Sequence, residues 1–336
     1  MKPSQTKPEY EKLLADIGFA LQRARENAIR TINAELVNAN WQIGKYIIDF
    51  EQGGKEKAAY GSALLSNLSK DLKTTLGKGF SKSSLYLCRQ FYLKYPIFQT
   101  VSGKLSWSHY AELLTVSDDL ARSFYEKQSI KENWTFREMK RQMDSTLFQR
   151  LALSRDKHTV LALAEKGQEL KTPKDAIKDP YIFEFLGLSK EVVIKEHNLE
   201  KKLIDNLQAF LLELGKGFSF VARQFRITLD NTHFYIDLVF YHRILKCFVL
   251  IDLKIKKVKH QDIGQMNLYL NYFKEEENTE GDNEPIAIII AADKHDYLVK
   301  YATGGLSNKI FISKYQLYLP DETLLEQKIK EIVEGN

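Results

Sequence analysis

The chain has little cysteine, and this scarcity excludes two classes of site. Its 336 residues contain only two cysteines, Cys88 and Cys247, which are far apart in sequence. A disulfide framework or a thiolate metal site needs several cysteines at short spacings, so neither is supported. Each cysteine lies in an apolar-periodic stretch, and we interpret both as core thiols.

Long apolar runs are also absent. No stretch approaches the roughly 18 consecutive apolar residues of a membrane-spanning helix. The first residues, MKPSQTKPEYEK, are polar and lack the apolar core of a signal peptide. We therefore predict a cytoplasmic protein with no membrane partner.

A strong excess of one charge is missing as well. The chain has 49 Lys and Arg against 44 Asp and Glu, for a net charge of +5. Its pI of 8.8 is just below the value of about 9 typical of a dedicated DNA-binding domain. The charge balance favours a nucleic-acid partner only weakly.

Two domains fit the length of the chain and its 44% hydrophobic content. Residues 10–52 have apolar residues at helical spacing, and shorter helical patterns continue to residue 155. The pattern weakens over residues 157–199, where Gly167, Pro173 and Pro180 interrupt it. We predict an all-helical domain over residues 1–155, a linker over 156–198 and a second domain over 199–336.

The second domain mixes helices and strands in a recognisable order. A helix is predicted from Leu199 to the glycines at 215 and 217, and strands are predicted over 218–229, 233–241 and 246–255. A helix over 261–273 and the run IAIIIAA at 286–292 follow, and that run is typical of a strand buried on both faces. With a short strand at 310–313, the pattern predicts an α-β-β-β-α-β core.

Three charged residues lie inside these apolar strands. Asp237 lies in FYIDLVF, and Asp252 and Lys254 lie in VLIDLK. Burying a carboxylate is costly unless a metal ion or a paired charge compensates it. Asp252 and Lys254 are two residues apart, so their side chains leave the same face of the strand.

The predicted hairpin brings the two aspartates together. A symmetric turn between Ile244 and Leu245 pairs residues whose numbers sum to 489, which places Asp237 opposite Asp252. Two carboxylates at that separation suit a shared Mg²⁺, with Mn²⁺ as a substitute. Lys254 beside them could stabilise charge that develops on a phosphate, which suits phosphodiester hydrolysis. The alternative is a structural ion pair between Lys254 and one aspartate.

Further residues could support such a site. Gln265 and Tyr269 share a helix face and could bind phosphate or fix the metal ligands, although an ordinary amphipathic edge is the alternative. Glu213 could be a third carboxylate ligand, although a solvated glutamate is the alternative. Lys256, Lys257 and Lys259 follow the site and could contact a nucleic-acid backbone, or could form a solvated loop.

Together these residues resemble the PD-(D/E)XK nuclease superfamily. Asp237, then Asp252-Leu253-Lys254, then Gln265-x-x-x-Tyr269, resembles its QxxxY branch, with Ile236 in place of the usual proline. The surrounding sequence, such as FLLELGKGFSFVARQFRI and HQDIGQMNLYLNYF, resembles the YhcG-like family. The resemblance implies a restriction-endonuclease-like α/β domain with a mixed sheet flanked by helices. It also implies Asp237, Asp252 and Lys254 as metal-binding and catalytic residues, supported by Glu213, Gln265 and Tyr269.

The resemblance extends into the N-terminal half. YGSALLSNLSKDLKTTLGKGFSKSSLYLCRQFYLKYP is similar to the family's accompanying helical domain, which is of helix-turn-helix or winged-helix type. Arg89, Arg137 and Arg141 on its helices fit contacts to DNA phosphates. The aromatic residues of this half recur at helical spacing and are predicted to be core.

The function predicted from these features is a metal-dependent nuclease acting on DNA, most simply an endonuclease. Cleavage of both strands with one site per chain is simplest for a homodimer, which we predict. Two alternatives remain open: a catalytically silent nucleic-acid-binding protein on a nuclease scaffold, and a defence component that acts only with a partner protein.

Overall fold

The structure is a computed structural model of the chain. It describes residues 7–52, 63–98, 103–153, 156–188, 195–293, 309–319 and 321–334. The chain divides into two compact units, Met1–Arg122 and Ser123–Asn336. Each unit is described by itself.

The described part of the first unit is helical. It contains α1 (Lys7–Gln52), α2 (Leu64–Leu76), α3 (Lys82–Lys94), α4 (Trp107–Leu113) and the start of α5 (Asp119–Glu132). The C-terminal part of α1 packs closely on α3, since a Cβ atom added to Gly44 would collide with the backbone carbonyl of Cys88. Phe91 and Tyr110 are completely buried, so these two aromatic residues belong to the core, as predicted.

The second unit contains the sheet and its flanking helices. After α5 come α6 (Phe136–Asp144), α7 (Leu147–Ala152), α8 (Lys157–Lys166), β1 (Tyr181–Ile182), α9 (Glu196–Asp205) and α10 (Leu207–Leu214). They are followed by β2 (Phe218–Leu229), β3 (Thr232–His242), β4 (Cys247–Lys257), α11 (His260–Tyr272), β5 (Ile286–Asp293), β6 (Ile310–Gln316) and α12 (Glu322–Glu334).

Six strands form one mixed sheet in the order β1-β6-β5-β4-β3-β2. The four strands from β1 to β4 in that order are parallel to their neighbours, whereas β3 is antiparallel to both β4 and β2. Helices α9 and α10 contribute to the core on one face, and α11 contributes to the core on the other. The fold is therefore the predicted mixed sheet flanked by helices.

Strands β4 and β5 show how the sheet sorts its side chains. In β5, Ile288 and Ile290 face the α9 side, whereas Ala287 and Ile289 face the α11 side. Residues 286–291 of the IAIIIAA run are thus buried on both faces, as predicted, whereas Ala292 at its end is exposed. By the same alternation Asp252 and Lys254 of β4 share the face of Leu250, which packs on the α11 side.

Two parts of the predicted outline differ from the structure. Residues 156–198 were predicted to be a linker, but their described part contains α8 and β1, and Tyr181, Ile182 and Phe183 are completely buried. Strand β1 pairs with β6 at the end of the chain, a long-range contact that sequence periodicity does not report. The compact units also separate at residue 122, within α5, whereas the sequence pattern first weakens near residue 155.

Both cysteines are buried and unbridged, in agreement with their interpretation as core thiols. Among the residues that the structure describes, no helix is long and apolar enough to cross a membrane.

Candidate active site

The candidate site lies where β3 and β4 stop pairing. The observed pairs run from His242–Cys247 to Leu238–Ile251, so the predicted register, with residue numbers that sum to 489, is confirmed. The next pair in that register would be Asp237–Asp252, and the ladder does not include it. Instead the Asp237 side chain accepts a hydrogen bond from the backbone N–H of Leu253, at 2.8 Å. The carboxylates of Asp237 and Asp252 therefore lie where the two strands separate.

Gln224 joins Asp237 to a second carboxylate. Its amide Nε2 donates to Asp237 Oδ1 at 3.0 Å and to Glu200 Oε2 at 2.7 Å. Gln224 has a left-handed backbone, φ +49°, although it lies within β2, where the paired neighbours are Arg223–Leu238 and Phe225–Ile236. Such a conformation costs on the order of 1–3 kcal/mol in a residue other than glycine, and strain of this kind is concentrated at functional sites.

Helix α9 supplies two glutamates to the site, one turn apart. Glu200 is only 2% exposed, and its carboxylate pairs with the guanidinium of Arg223. Glu196 accepts a hydrogen bond from the backbone N–H of Ile255 at 3.3 Å, just beyond Lys254 on β4. Residues four apart share a helix face. One face of α9 therefore presents two carboxylates to this end of β4.

Asp252 and Lys254 form a close ion pair. Lys254 Nζ lies 2.8 Å from Asp252 Oδ2, an oxygen that is buried and has no hydrogen bond of normal geometry. Burial raises the pKa of Asp252 to about 7, and the nearby charge of Asp237 also raises it, although Lys254 opposes both effects. Burial also raises the pKa of Asp237. The pKa of Lys254 is raised because the carboxylates of Asp252 and Asp237 outweigh its burial.

Gln265 and Tyr269 bind each other. Gln265 Nε2 donates to the Tyr269 hydroxyl, which in turn donates to the backbone carbonyl of Tyr235 at 3.1 Å. The Tyr269 ring is completely buried, whereas Gln265 is exposed. Burial raises the pKa of Tyr269, and the charges of Asp252 and Asp237 raise it further. The pair thus ties α11 to β3 two residues before Asp237.

The structure does not bring Glu213 to this site, which corrects its predicted place as a third metal ligand. Glu213 is completely buried and lies 2.7 Å from Arg150 and 3.3 Å from Arg141. It also accepts a hydrogen bond from the backbone N–H of Ile182 at 2.9 Å. Burial would raise its pKa, but the charges of Arg150, Lys178 and Arg141 outweigh burial and lower the pKa to about 2. The carboxylate next to Asp237 is that of Glu200.

The basic residues predicted to contact nucleic acid differ in their exposure and in their ion-pair partners. Lys256 and Lys259 are exposed just past the site, and Lys257 is exposed but lies 3.2 Å from Asp293. Arg137 is exposed, and Arg89 pairs with Glu51 at 2.9 Å.

The structure corrects the predicted role of Arg141 as a contact to nucleic acid. Its side chain is 17% exposed, and its guanidinium pairs with Glu184 and Glu213 and lies over the ring of Phe185. Arg137 and Arg141 also belong to the second unit, not to the first unit with Arg89.

The residues present fit a hard divalent cation. Four carboxylates, Glu196, Glu200, Asp237 and Asp252, meet two cations, Arg223 and Lys254, so negative charge is in excess. Carboxylate oxygens are the ligands that Mg²⁺ prefers, and Mg²⁺ keeps several waters when a protein binds it. Within the described ranges no three His, Cys, Asp or Glu side chains are arranged to hold one metal ion.

Sequence patterns missed Glu196, Glu200 and Gln224. Glu196 and Glu200 did carry a signal, because two glutamates four apart begin a helix whose Leu199 and Leu203 are buried. Gln224 carried none, since a strand pattern gives no indication of a left-handed backbone at one of its residues.

A mixed sheet flanked by helices, with carboxylates at the point where β3 and β4 separate, is the arrangement of the PDDEXK class of nuclease folds. Comparison with known proteins agrees with this class. The family model described as the YhcG PDDEXK nuclease domain matches residues 174–330, and the DUF1016 N-terminal domain matches residues 16–150. A protein of Escherichia coli (strain K12), named "Putative nuclease YhcG", is 37% identical over 352 residues, which cover 95% of this chain and 93% of that protein. The chain belongs to the YhcG nuclease family. Nucleases of the PDDEXK class generally use divalent metal ions.

Solved structures show a much weaker likeness. A repair endonuclease from Pyrococcus abyssi is 17% identical, with a TM-score of 0.28 over 39% of this chain and 50% of that one. EndoMS in its apo form is 15% identical, with a TM-score of 0.25 over 39% of this chain and 49% of that one.

Proposed function

We propose that the protein is a Mg²⁺-dependent DNA endonuclease whose metal is held by Asp237 and Asp252. The observation that carries the proposal is the Asp252 carboxylate. Burial and the nearby charge of Asp237 raise its pKa to about 7, although the adjacent Lys254 opposes this rise. A divalent cation would stabilise the ionised form of such a buried carboxylate, because the cation supplies positive charge that the protein groups do not. Mn²⁺ would substitute for Mg²⁺.

Each residue has a distinct part in this proposal. The bound ion would neutralise phosphate charge and lower the pKa of water. Lys254, whose ammonium lies beside Asp252, would donate hydrogen bonds to the phosphate oxygens on which charge develops. Glu200 and Gln224 would position Asp237, since Gln224 hydrogen-bonds to both carboxylates. Gln265 and Tyr269 would position β3.

The choice of DNA and of internal cleavage rests on the nuclease family, together with the exposed Lys256 and Lys259 beside the site. Lysines there would contact the phosphate backbone without reading sequence. This function differs from that of a silent scaffold, in which Asp237, Asp252 and Lys254 would make only structural contacts.

The test compares covalently closed plasmid, linear duplex, single-stranded DNA and RNA with Mg²⁺, Mn²⁺ or EDTA. The wild type should nick or linearise the closed plasmid with Mg²⁺, which an exonuclease cannot do. Asp252→Asn should lose about 1,000-fold or more of the rate, as expected when a core catalytic group is removed. The exposed Glu275→Gln variant serves as a matched control and should cleave normally. Failure of the wild type to cleave any DNA with either metal would refute the proposal, and cleavage of RNA alone would refute the choice of substrate.

A further inference from the structure

A cavity of about 350 Å³ lies within the second unit, apart from the candidate active site. Helices α5, α6 and α10 contribute to its wall, and so does Phe218, the first residue of β2. Phe218 pairs with His242, the last residue of β3, whereas Asp237 is at the middle of that strand. Small-molecule sites in proteins have volumes of about 300–1,000 Å³. The cavity is therefore large enough to be a binding site of its own.

Most of the surface of this cavity is apolar. Its large apolar side chains include Trp134, Leu147, Leu170, Leu211, Leu214 and Phe218. Leu147 and Leu214 are buried, and the other four are half-buried. Removing apolar surface from water is favourable in proportion to the area removed. The wall therefore favours a ligand whose body is apolar.

One buried hydrogen-bond acceptor in the wall is unpaired. Gln142 is only 2% exposed, and its amide nitrogen donates to the backbone carbonyl of Leu212 at 3.1 Å. Its Oε1 has no hydrogen-bond partner among the residues that the structure describes. Exchanging the amide nitrogen and oxygen would place two acceptors against each other, so the oxygen is the unpaired atom. Because buried acceptors are nearly always paired, the expected ligand brings an N–H or O–H donor.

The charged side chains of the wall already have partners within the protein. Lys216 pairs with Glu132 at 2.9 Å, and the ammonium of Lys178 donates to a backbone carbonyl at the end of α10. Glu138 accepts a hydrogen bond from the backbone at the start of α6, at 2.7 Å. A charged ligand would lose its hydration without meeting an unpaired counter-charge. The cavity therefore favours an uncharged ligand.

Water is a poor partner for this acceptor. A buried water makes about two to four hydrogen bonds with polar groups. Gln128 and Gln168, two further amides of the wall, make hydrogen bonds within the protein. Gln128 Oε1 accepts from the backbone N–H of Gln168 at 2.8 Å, and Gln168 Nε2 donates to the carbonyl of Asp175 at 2.5 Å. An apolar molecule with one donor would satisfy Gln142 and also cover the leucines.

We propose that this cavity binds a small, uncharged and largely apolar molecule that donates an N–H or O–H hydrogen bond to Gln142 Oε1. The ligand contacts two helices at once, since Gln142 is on α6 whereas Leu211 and Leu214 are on α10. Indole is a suitable probe because it is uncharged, apolar over most of its surface and has one N–H. Benzofuran is its matched control, because it has the same ring shape with an oxygen in place of the N–H.

Ligand-observed NMR titration of the full-length protein tests the proposal. Indole should bind with a dissociation constant on the order of 1 mM or below, as expected for a ligand of this size in a site that fits it. Benzofuran should bind at least about 10-fold more weakly, because it leaves Gln142 Oε1 unpaired. In Gln142→Met the preference for indole over benzofuran should disappear. Equal binding of the two probes by the wild type, or no binding of indole, would overturn the proposal.

A second variant tests the location without altering Gln142. Leu170→Trp adds a larger side chain to the wall and should abolish the binding of indole. Leu188→Trp is the matched control, because Leu188 is also half-buried against the same core but does not line the cavity. A cooperative thermal transition shows that each variant is folded. Indole binding that persists in folded Leu170→Trp would place the probe elsewhere and overturn the proposal.

Discussion

The second unit contains two buried ionic clusters whose charge balance is opposite. In the Glu213 cluster, one fully buried carboxylate is surrounded by Arg141, Arg150 and Lys178, and its pKa falls to about 2. In the candidate active site, the Asp252 carboxylate has one lysine and a second aspartate as neighbours, and its pKa rises to about 7. Both carboxylates are buried among apolar strands and helices, so burial alone does not distinguish them.

This difference in charge balance is what we expect between a structural carboxylate and one that binds a cation, the role proposed for Asp252. Glu213 is already neutralised by protein groups, and its hydrogen bond with Ile182 joins α10 to β1. Asp252 has Lys254 as a counter-charge but also has Asp237 beside it, and a divalent ion would add further positive charge. Buried acids can thus be sorted by what neutralises them, and variants at three of them test whether this sorting is correct.

The largest expected effect on stability is that of Glu213→Gln. Removing one partner of a buried pair leaves Arg150 without its counter-charge, at a cost of about 3–5 kcal/mol. Because the folded pKa of Glu213 is below its ordinary 4.5, the stability it contributes is present above that pH and is lost as pH falls toward 2. Urea denaturation at pH 7 and pH 3 should show a loss that is smaller at pH 3. A variant as stable as wild type at pH 7 would refute the structural role.

Glu200→Gln should change how much Mg²⁺ the cleavage reaction needs. Gln224 links Glu200 to Asp237, so the variant should raise the Mg²⁺ concentration needed for half-maximal cleavage by about 10–100-fold, as loss of groups that orient metal ligands does. Titration of cleavage with Mg²⁺ measures the shift. Asp205→Asn is a control, because Asp205 is an exposed carboxylate at the end of the same helix. An unchanged Mg²⁺ requirement in Glu200→Gln would remove this residue from the site.

Asp252→Asn should stabilise the metal-free protein at alkaline pH. The folded pKa of Asp252 is raised from 3.8 to about 7, so the folded state binds the proton more tightly and stability falls as pH rises through that window. The neutral variant avoids this loss and should gain about 1 kcal/mol at pH 8 in EDTA, with little gain at pH 4. Asp237 and Glu196 remain close enough to attract Lys254. A clear loss of stability at pH 8 would make Asp252 a structural residue like Glu213.

The smallest effect is expected from the exposed lysines beside the site. A double variant, Lys256→Gln with Lys259→Gln, should reduce the salt dependence of duplex binding by up to about 0.9 in log–log slope for each lost phosphate contact. Lys257→Gln is the matched control, because Lys257 already pairs with Asp293. Fluorescence anisotropy over a range of salt concentrations gives both slopes. A double variant with the wild-type slope would place the DNA elsewhere.

Local sequence patterns predicted much of the second unit. Alternating and continuous apolar runs located β2 to β5, and the hairpin symmetry gave the correct β3–β4 register. The same reasoning predicted a direct Asp237–Asp252 pair, whereas the strands part just before it, because Asp237 accepts a hydrogen bond from Leu253. A strand pattern contains no information about where pairing ends.

The sequence by itself determined the strands, the helices that flank them and the apolar setting of Asp237, Asp252 and Lys254, because these depend on short-range periodicity. Only the tertiary structure decided which glutamate joins those residues. Glu200 and Glu213 lie on successive helices before the strands, and neither their local patterns nor their spacing distinguishes them. Arg150, Arg141 and Lys178, distant in sequence, neutralise Glu213, whereas Gln224 brings Glu200 to Asp237. Charge compensation in a folded core depends on residues far apart in the chain, which only the fold brings together.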